Sequence, residues 1–387
     1  MTREELVEQA CLLSGLTDFG DVPYLEPLDV LVYSLNHDAH VEGVTRERAV
    51  EMLTGVLVKR LRLVEDRKRH SEIAAEVVRA PIFIVGQPRS GSTHLHALMA
   101  CVDGLRAPRF WEMSAPSPPP DRATFETDPR IAMIQQIVDS LPEELMVRHP
   151  MSATRPEQCN LLYDWSFINQ AWMASFDIPT YREWFLDADY RPAYEAHRRT
   201  LQHLQWRNPG RWVLKYPKHL LSLDALLDIY PDATFIWTHR DPAAVIPSAV
   251  SLTGFMRQSN TPDFDPVRFG REWAVIEELA LHRGLATRDS GRYPAERNTD
   301  VHYPELMADP LGTTARICAQ VAAPFTEGSG DAVRLWLAGH PKDAHGHHRY
   351  AADDFGLDTG RLRSRFAFYI ERFGIAAEAD RERVGPS

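Results

Sequence analysis

The first 80 residues carry apolar side chains at helical spacing and contain no run typical of a strand. The opening segment has an apolar face around Leu6 and Leu12, and its three acidic residues do not fit a signal peptide. A longer helix is predicted from Thr45, where apolar positions recur three or four apart: Val50, Leu53, Leu57, Leu61 and Val64. We therefore expect residues 1–80 to form an N-terminal helical segment.

From residue 81 onward, short apolar runs alternate with helical patterns. The run 81–86 ends at a glycine and predicts a buried strand. Similar runs lie at 211–215 and 233–238, and a fourth strand is expected near 301–303. Strands that alternate with helices predict an α/β fold, with a mostly parallel, P-loop-like sheet covered by helices on both faces.

The sheet and its helices are expected to occupy 81–375, with a helical insertion at about 121–206 and a charged tail at 376–387. The insertion is rich in aromatic residues: Trp165, Phe167, Trp172, Phe176, Trp184, Phe185, Tyr190 and Tyr194. Such side chains either pack in the core or form an apolar wall against a substrate. The pattern alone leaves both interpretations open.

Composition narrows the class of protein. With 387 residues, 44% hydrophobic and 25% charged, the chain resembles an ordinary globular protein. Its net charge of −11 disfavours nucleic acid as a partner. The four cysteines are widely spaced and form no CxxC pair, which fits a reducing, cytoplasmic location. No apolar run approaches about 18 residues, so no transmembrane helix is expected.

A glycine-containing turn, GQPRSGST at 86–93, follows the first strand and opens a helix. In that setting, backbone N–H groups and the helix N-terminus can bind an anion. The two glycines have the spacing of a nucleotide P-loop, but Ser92 stands where a kinase or GTPase has lysine. The positive charge lies within the turn, at Arg89. The turn therefore predicts a phosphate site that differs from that of a kinase.

A second element follows the strand at 233–238. Arg240 comes at its end, Asp241 can cap the next helix, and Pro242 suits the first helical position. Ser248 lies about two turns into that helix. A guanidinium fork together with a hydroxyl is suitable for a terminal phosphate.

The sequence PRSGST at 88–93 resembles the loop of sulfotransferases that use 3′-phosphoadenosine 5′-phosphosulfate (PAPS). Arg240 with Ser248 resembles the 3′-phosphate site of the same family. Further similarity to its bacterial branch lies at 111–112, 214–220, 303–306, 309–310 and 348–357. The resemblance covers about 81–373 and implies PAPS as the sulfuryl donor.

The resemblance also implies donor contacts. The 5′-phosphosulfate is expected on Arg89, Ser90, Gly91, Ser92 and Thr93, with His94 on the helix that follows. Arg349, in a histidine-rich segment that resembles a lid, is expected to reach a phosphate.

Sulfuryl transfer is analogous to phosphoryl transfer, so positioning and charge stabilisation are the main tasks of the protein. Lys215, at a strand end, is a candidate for neutralising charge on the transferred group. Two residues are candidates for the base that accepts the proton of the acceptor hydroxyl. Glu112 matches the base of the tyrosylprotein branch and is the preferred one, and His219 matches the histidine of the aryl branch.

No metal is expected, because the chain has no aspartate-rich motif and the histidines at 340, 345, 347 and 348 have no regular ligand spacing. The acceptor is expected to be a hydroxyl group on a small molecule, lipid or glycolipid, and the sequence does not indicate an oligomeric state. Two alternatives remain open: a P-loop-type kinase, disfavoured by the missing lysine, and a nucleotide-binding scaffold without activity.

Overall fold

The computed structural model describes residues 1–341 and 350–378. In this part of the chain, the α-helices are α1 Arg3–Ser14, α2 Leu25–His37, α3 Gly43–Arg69, α4 Glu72–Ala75, α5 Ser92–Met99, α6 Phe110–Ser114, α7 Pro129–Asp139, α8 Glu143–Arg148, α9 Asn160–Tyr163, α10 Ala171–Ser175, α11 Pro179–Asp187, α12 Arg191–Gln205, α13 Leu223–Ile229, α14 Pro242–Gln258, α15 Pro266–Asp289, α16 Tyr303–Ala308, α17 Pro310–Gln320, α18 Glu327–Gly339, α19 Thr359–Arg365 and α20 Ala367–Phe373. Short 3₁₀ segments are Asp164–Ser166, Pro217–Leu221, Ala295–Arg297 and Ala352–Phe355. The strands are β1 Ile82–Gly86, β2 Leu105–Arg106, β3 Arg211–Lys215, β4 Thr234–His239 and β5 Asn298–His302.

The five strands form one sheet in the order β2-β3-β1-β4-β5, and all of the pairings are parallel. In the register, Phe83 lies beside Leu214 on one side and Phe235 on the other. The predicted parallel α/β fold is confirmed. The chain after β1 continues on one side of β1 and later crosses to β4 on the other side. Ligands bind at such a point, outside the carboxyl ends of the strands.

Successive residues of a strand point to opposite faces of the sheet, and the two faces are covered by separate cores. Phe83, Leu214 and Phe235 belong to the larger core, which also includes α1, α2 and α3 side chains such as Leu28 and Leu57. Side chains on the other face, Ile84 and Ile236 among them, pack against α5 and α17. The N-terminal helical segment therefore shares one core with the sheet.

Several details differ from the expectations. The helix expected from Thr45 begins two residues earlier, at Gly43. The strand expected near 301–303, β5, begins earlier, at Asn298. Most of the insertion's aromatic side chains are buried in the larger core, Trp165 and Phe167 among them. Their main role is therefore packing. No helix in the two described stretches is both long and apolar enough to cross a membrane.

Candidate functional site

The turn between β1 and α5 depends on backbone conformations that few residues adopt. Gly86 has φ 132°, and a Cβ there would lie 2.4 Å from the carbonyl oxygen of Thr238 on β4. Gly91 has φ 88°, and Arg89 has φ 65° although it is not glycine. Such angles cost little for glycine and are strained for other residues. They allow α5 to begin at Ser92, where its first N–H groups have no partner within the helix.

The side chains of the turn after β1 differ in burial and in hydrogen bonding. The Ser90 hydroxyl is buried, donates to the carbonyl oxygen of Gln87 at 2.6 Å and lies 2.6 Å from Oγ1 of Thr238. It therefore holds the turn against β4. Ser92 is buried and Thr93 is exposed. Because the Ser90 hydroxyl is used within the fold, Ser90 would contact a bound nucleotide mainly through its backbone.

His94 faces a neighbour that the sequence did not indicate. Its ring lies 5.3 Å from that of Trp336 on α18, and Nε2 is buried with no hydrogen-bond partner in the described ranges. Burial lowers the pKa of His94, so the ring favours its neutral form. Its predicted contact with the donor remains untested.

The two elements predicted to bind phosphates meet in space. Nε of Arg89 donates to Oγ of Ser248 at 3.1 Å, and Nη1 of Arg240 donates to the carbonyl oxygen of Arg89 at 2.8 Å. The Arg240 guanidinium also lies 3.8 Å from the centre of the Tyr303 ring. Asp241 caps α14, as expected, by accepting from the N–H of Ala243 at 2.9 Å. Residues from the carboxyl ends of β1 and β4 thus form one cationic corner.

Lys215, at the carboxyl end of β3, adds a third cationic group and is 2% exposed. Burial lowers its pKa, the negative charge of Glu157 opposes that shift, and the positive charge of Arg89 adds to it. The side chains of Lys215, Arg89 and Glu157 are therefore close enough to influence one another's charge.

Glu157 is a carboxylate that the sequence analysis did not single out. Its Oε2 lies 2.9 Å from Nε2 of His149, and its Oε1 accepts from the N–H of Gln158 at 2.8 Å. Burial alone would raise its pKa, but His149 and Lys215 lower it to about 2. Glu157 is therefore ionised at neutral pH, and it holds the ring of His149.

Backbone hydrogen bonds explain how Glu157 reaches this position. The N–H of Glu157 donates to the carbonyl oxygen of Pro108 at 3.0 Å, and the N–H of Cys159 donates to that of Lys215 at 2.9 Å. The segment is thereby fixed between the end of β3 and the turn before α6. These contacts join residues far apart in sequence, and no local pattern marks Glu157 or His149. A sequence-based search could have found them only as polar residues within an aromatic-rich insertion.

Glu112, the preferred base, lies in the interior. Its side chain is fully buried, one oxygen accepts from Nη2 of Arg106, and the other accepts from the N–H of Arg109 at 2.9 Å. Burial raises its pKa, although Arg106 opposes the shift. The Arg106 guanidinium lies 4.3 Å from the Trp212 ring centre and also donates to the carbonyl oxygen of Leu204. This is the environment of a structural ion pair, and the prediction that Glu112 is the base is not tested by it.

His219, the alternative base, is also buried. Its Nδ1 lies 2.9 Å from the hydroxyl of Tyr194, while its Nε2 has no hydrogen-bond partner in the described part of the chain. One ring nitrogen lies within 4.8 Å of the thiol of Cys159 and a ring nitrogen of His197. Burial lowers its pKa far below the usual value. The imidazole therefore belongs to the aromatic interior, and proton transfer from an acceptor would require that interior to open.

Arg349 and the histidines at 345, 347 and 348 lie outside the described residues. His340 is described, and its Nδ1 lies 2.8 Å from the carbonyl oxygen of Trp336. The prediction that Arg349 contacts a phosphate is therefore not tested.

Comparison with known proteins identifies the family of this chain. The model of a family described as "Sulfotransferase family" matches residues 81–327, well over half of the chain. The chain belongs to the sulfotransferase family, a family of enzymes. The matched range covers the turn after β1, Glu157, Lys215 and the Arg240 corner.

Mycobacterial sulfotransferases are among its relatives. The chain is 27% identical over 273 residues to the omega-hydroxy-beta-dihydromenaquinone-9 sulfotransferase Stf3 of Mycobacterium tuberculosis and of Mycobacterium bovis. The match covers 67% of this chain and 67% of each relative. It resembles the crystal structure of sulfotransferase STF9 from Mycobacterium avium, with a TM-score of 0.89, 30% identity and 98% coverage of both chains. For STF1 of Mycobacterium tuberculosis the TM-score is 0.83 and the identity 29%, over 95% of this chain and 99% of that one.

Proposed function

We propose that this sulfotransferase takes its sulfuryl group from PAPS and transfers it to the hydroxyl of a small apolar or lipid-like alcohol. The observation that carries this proposal is the corner in which Arg89 contacts both Ser248 and Arg240. It combines a phosphate-binding turn with a second cationic site on the neighbouring strand. A donor with phosphate groups at both ends of one ribose matches such a pair of sites.

The residues at the carboxyl ends of β1, β3 and β4 would each bind a different part of PAPS. The N–H groups at the start of α5 and the Arg89 side chain would bind the 5′ end, and Arg240 with Ser248 would bind the 3′-phosphate. PAPS supplies an activated sulfuryl group whose leaving group is the 5′-phosphate of adenosine 3′,5′-bisphosphate. The protein then stabilises charge on that leaving group.

We propose that Lys215 stabilises this developing charge. It is buried, and its charge is only partly balanced by Glu157, because Arg89 is also close. A fixed cation in a buried site stabilises negative charge more strongly than one in water. We assign Lys215 and Arg89 to the bridging oxygen and the sulfuryl oxygens, a task that Mg²⁺ performs in phosphoryl transfer.

The His149–Glu157 pair replaces Glu112 as the proposed base. Both Glu157 oxygens already accept a hydrogen bond, whereas the more exposed His149 ring meets Glu157 through Nε2. Nδ1 of His149 would take the acceptor proton as the acceptor oxygen bonds to sulfur. Glu157 would orient the ring and stabilise the imidazolium, as the carboxylate does in a catalytic triad.

The proposed class of acceptor is based on the name of a relative, Stf3. The name of Stf3 describes an ω-hydroxylated menaquinone derivative as its acceptor. We extend the class, an alcohol on an apolar chain, to this protein. The buried aromatic side chains of the insertion do not contribute to that argument, because they pack in the core.

The test is a transfer assay with labelled PAPS and a panel of prenyl alcohols, long-chain alcohols, phenols and sugars. The expected result is labelled product from apolar alcohols, and a Glu157→Gln variant that binds donor but transfers at least about a hundredfold more slowly. Donor binding with no transfer to any acceptor would favour a scaffold. Transfer of phosphate from ATP would favour a kinase.

A further inference from the structure

The Arg240 guanidinium is already bound to a carboxylate of the protein itself. Nε and Nη2 of Arg240 donate to the two oxygens of Glu378 at 2.7 and 2.8 Å. This is the bidentate arrangement in which arginine binds carboxylate or phosphate. Arg240 is 9% exposed, and Glu378 is 29% exposed. The pair thus lies at the mouth of the corner.

The backbone of Glu378 is held in place on both sides. Its N–H donates to Oδ2 of Asp241 at 2.9 Å, and its carbonyl oxygen accepts from Nη2 of Arg363 at 2.7 Å. Arg363 also donates to Oδ2 of Asp241, at 3.1 and 3.2 Å. Asp241 is the cap of α14, so the segment docks directly on the element that carries Ser248. Two backbone hydrogen bonds therefore hold Glu378 where its carboxylate meets Arg240, and the Arg363–Asp241 contact joins their two partners.

The remaining faces of the guanidinium are also occupied. Nη1 donates to the carbonyl oxygen of Arg89, and one face of the group lies on the Tyr303 ring. The fork made by Nε and Nη2 is therefore the part of Arg240 that a phosphate would use in a bidentate contact, and Glu378 holds that part. A phosphate and the carboxylate cannot occupy it together.

We propose that Glu378 is an internal competitor of the nucleotide 3′-phosphate, and that the segment carrying it must leave Arg240 before donor binds in full. This inference rests on the proposed function, because it takes the Arg240 corner as the 3′-phosphate site. It assigns the C-terminal segment a role in setting the affinity for PAPS and for the product, adenosine 3′,5′-bisphosphate.

The size of the effect follows from the occupancy of the closed contact. A ligand that binds only the open state has an affinity reduced by the open fraction. If the contact is closed about nine-tenths of the time, removal of the carboxylate strengthens binding of adenosine 3′,5′-bisphosphate about tenfold. A nucleotide that lacks the 3′-phosphate, such as ADP, does not need the Arg240 fork. Its affinity should not change.

The experiment is calorimetric titration of the full-length protein with adenosine 3′,5′-bisphosphate and with ADP. The variants are Glu378→Gln, which keeps the shape of the side chain, and a chain that ends at Ala377. Glu371→Gln, a change of the same chemistry on α20 away from the corner, is the control. We expect both Glu378 variants to bind the bisphosphate about tenfold more tightly, with the ADP affinity and the control unchanged.

The outcomes separate this inference from the function on which it rests. Equal affinity of wild type and both Glu378 variants for the bisphosphate overturns the internal competitor and leaves the proposed function intact. Weaker binding by both variants also overturns it, since Glu378 would then support the site. No bisphosphate binding by any of the proteins contradicts the proposed function itself. Thermal unfolding of each variant checks that the fold is retained, and the truncated chain serves if Glu378→Gln does not fold.

Discussion

Arg89 and Ser248 are 159 residues apart in sequence, and Nε of the first donates to Oγ of the second across 3.1 Å. The contact joins the turn after β1 to the helix after β4. It exists because β1 and β4 are adjacent and parallel, so that their carboxyl ends meet at one edge of the sheet. This edge carries the cationic corner on which the proposed donor site depends.

Replacing Ser248 with alanine should weaken the binding of adenosine 3′,5′-bisphosphate more than the binding of ADP. The change removes the hydroxyl that accepts from Nε of Arg89. A hydroxyl contact to a phosphate is worth about 1–2 kcal/mol, or roughly five- to thirtyfold in affinity. The measurement is the dissociation constant of each nucleotide by calorimetry.

Thr253→Val is the matched control, since Thr253 lies on the same helix and its hydroxyl donates to the carbonyl oxygen of Ala249 within that helix. A loss of the same size for ADP would mean that Ser248 does not distinguish the 3′-phosphate.

Glu157→Gln should mainly lower kcat, whereas Glu112→Gln should mainly lower the stability of the fold. Glu157→Gln removes the carboxylate that orients His149, so kcat should fall by about 10²–10⁴ while donor affinity changes little. Glu112→Gln leaves Arg106 buried without a counter-charge, which costs about 3–5 kcal/mol of folding free energy. Its folded fraction should keep a kcat within a few-fold of wild type.

The comparison requires both variants on one acceptor at saturating donor, together with urea unfolding of each. Glu112 would again be the better candidate for the base if Glu112→Gln were stable and its kcat fell a hundredfold. Glu157→Gln would in that case keep the kcat of wild type. Similar losses of kcat in His149→Ala and Glu157→Gln would support the two residues acting as one unit.

His219→Ala should affect stability and leave the chemistry nearly unchanged. The variant removes a buried hydrogen bond to Tyr194 and leaves a space in the aromatic interior, at a cost of about 1–3 kcal/mol. The measurements are the midpoint of thermal unfolding and kcat. A hundredfold loss of kcat at unchanged stability would instead identify a base like that of the aryl sulfotransferases.

The sequence predicted the parts of this molecule that are local in the chain. The strands at 82–86, 211–215 and 234–239, the phosphate turn and the Asp241 cap each have their signals within a few residues. Glu157 could not be predicted, because long-range backbone contacts bring its segment to the end of β3. His149 could not be predicted either, because its place is defined by the side-chain contact with Glu157. The prediction of Glu112 as base depends on its resemblance to a family position, and no local pattern indicates its buried pairing with Arg106.

The ionisation of Glu157 should be visible in the dependence of stability on pH. Its pKa in the folded protein is about 2, below the value of 4.5 usual for the side chain, so the unfolded chain binds the proton more tightly. The stabilisation is therefore fully present above about pH 4.5 and is lost as the pH falls toward 2. In Glu157→Gln, the free energy of unfolding should fall less steeply across this range. Identical slopes in urea unfolding would show that Glu157 has an ordinary pKa.

Turnover should be independent of added metal. In the proposed mechanism, Arg89 and Lys215 supply fixed positive charge where a phosphoryl-transfer enzyme uses Mg²⁺. The measurement is the rate of transfer from PAPS after dialysis against EDTA, with and without Mg²⁺. The expected rates are equal, and a rate that disappears with EDTA and returns with Mg²⁺ would point to a different mechanism.

The most direct test of the donor assignment is a calorimetric comparison of adenosine 3′,5′-bisphosphate with AMP on the wild-type protein and on Arg240→Ala. The wild-type protein should bind the bisphosphate at least about tenfold more tightly than AMP, because a charge-assisted contact is worth about 1.5–3 kcal/mol. Arg240→Ala should lose most of that preference. Equal affinity for the two nucleotides, both in the wild-type protein and in Glu378→Gln, would contradict the assignment of Arg240 and Ser248 to the 3′-phosphate, and with it the proposal that PAPS is the donor.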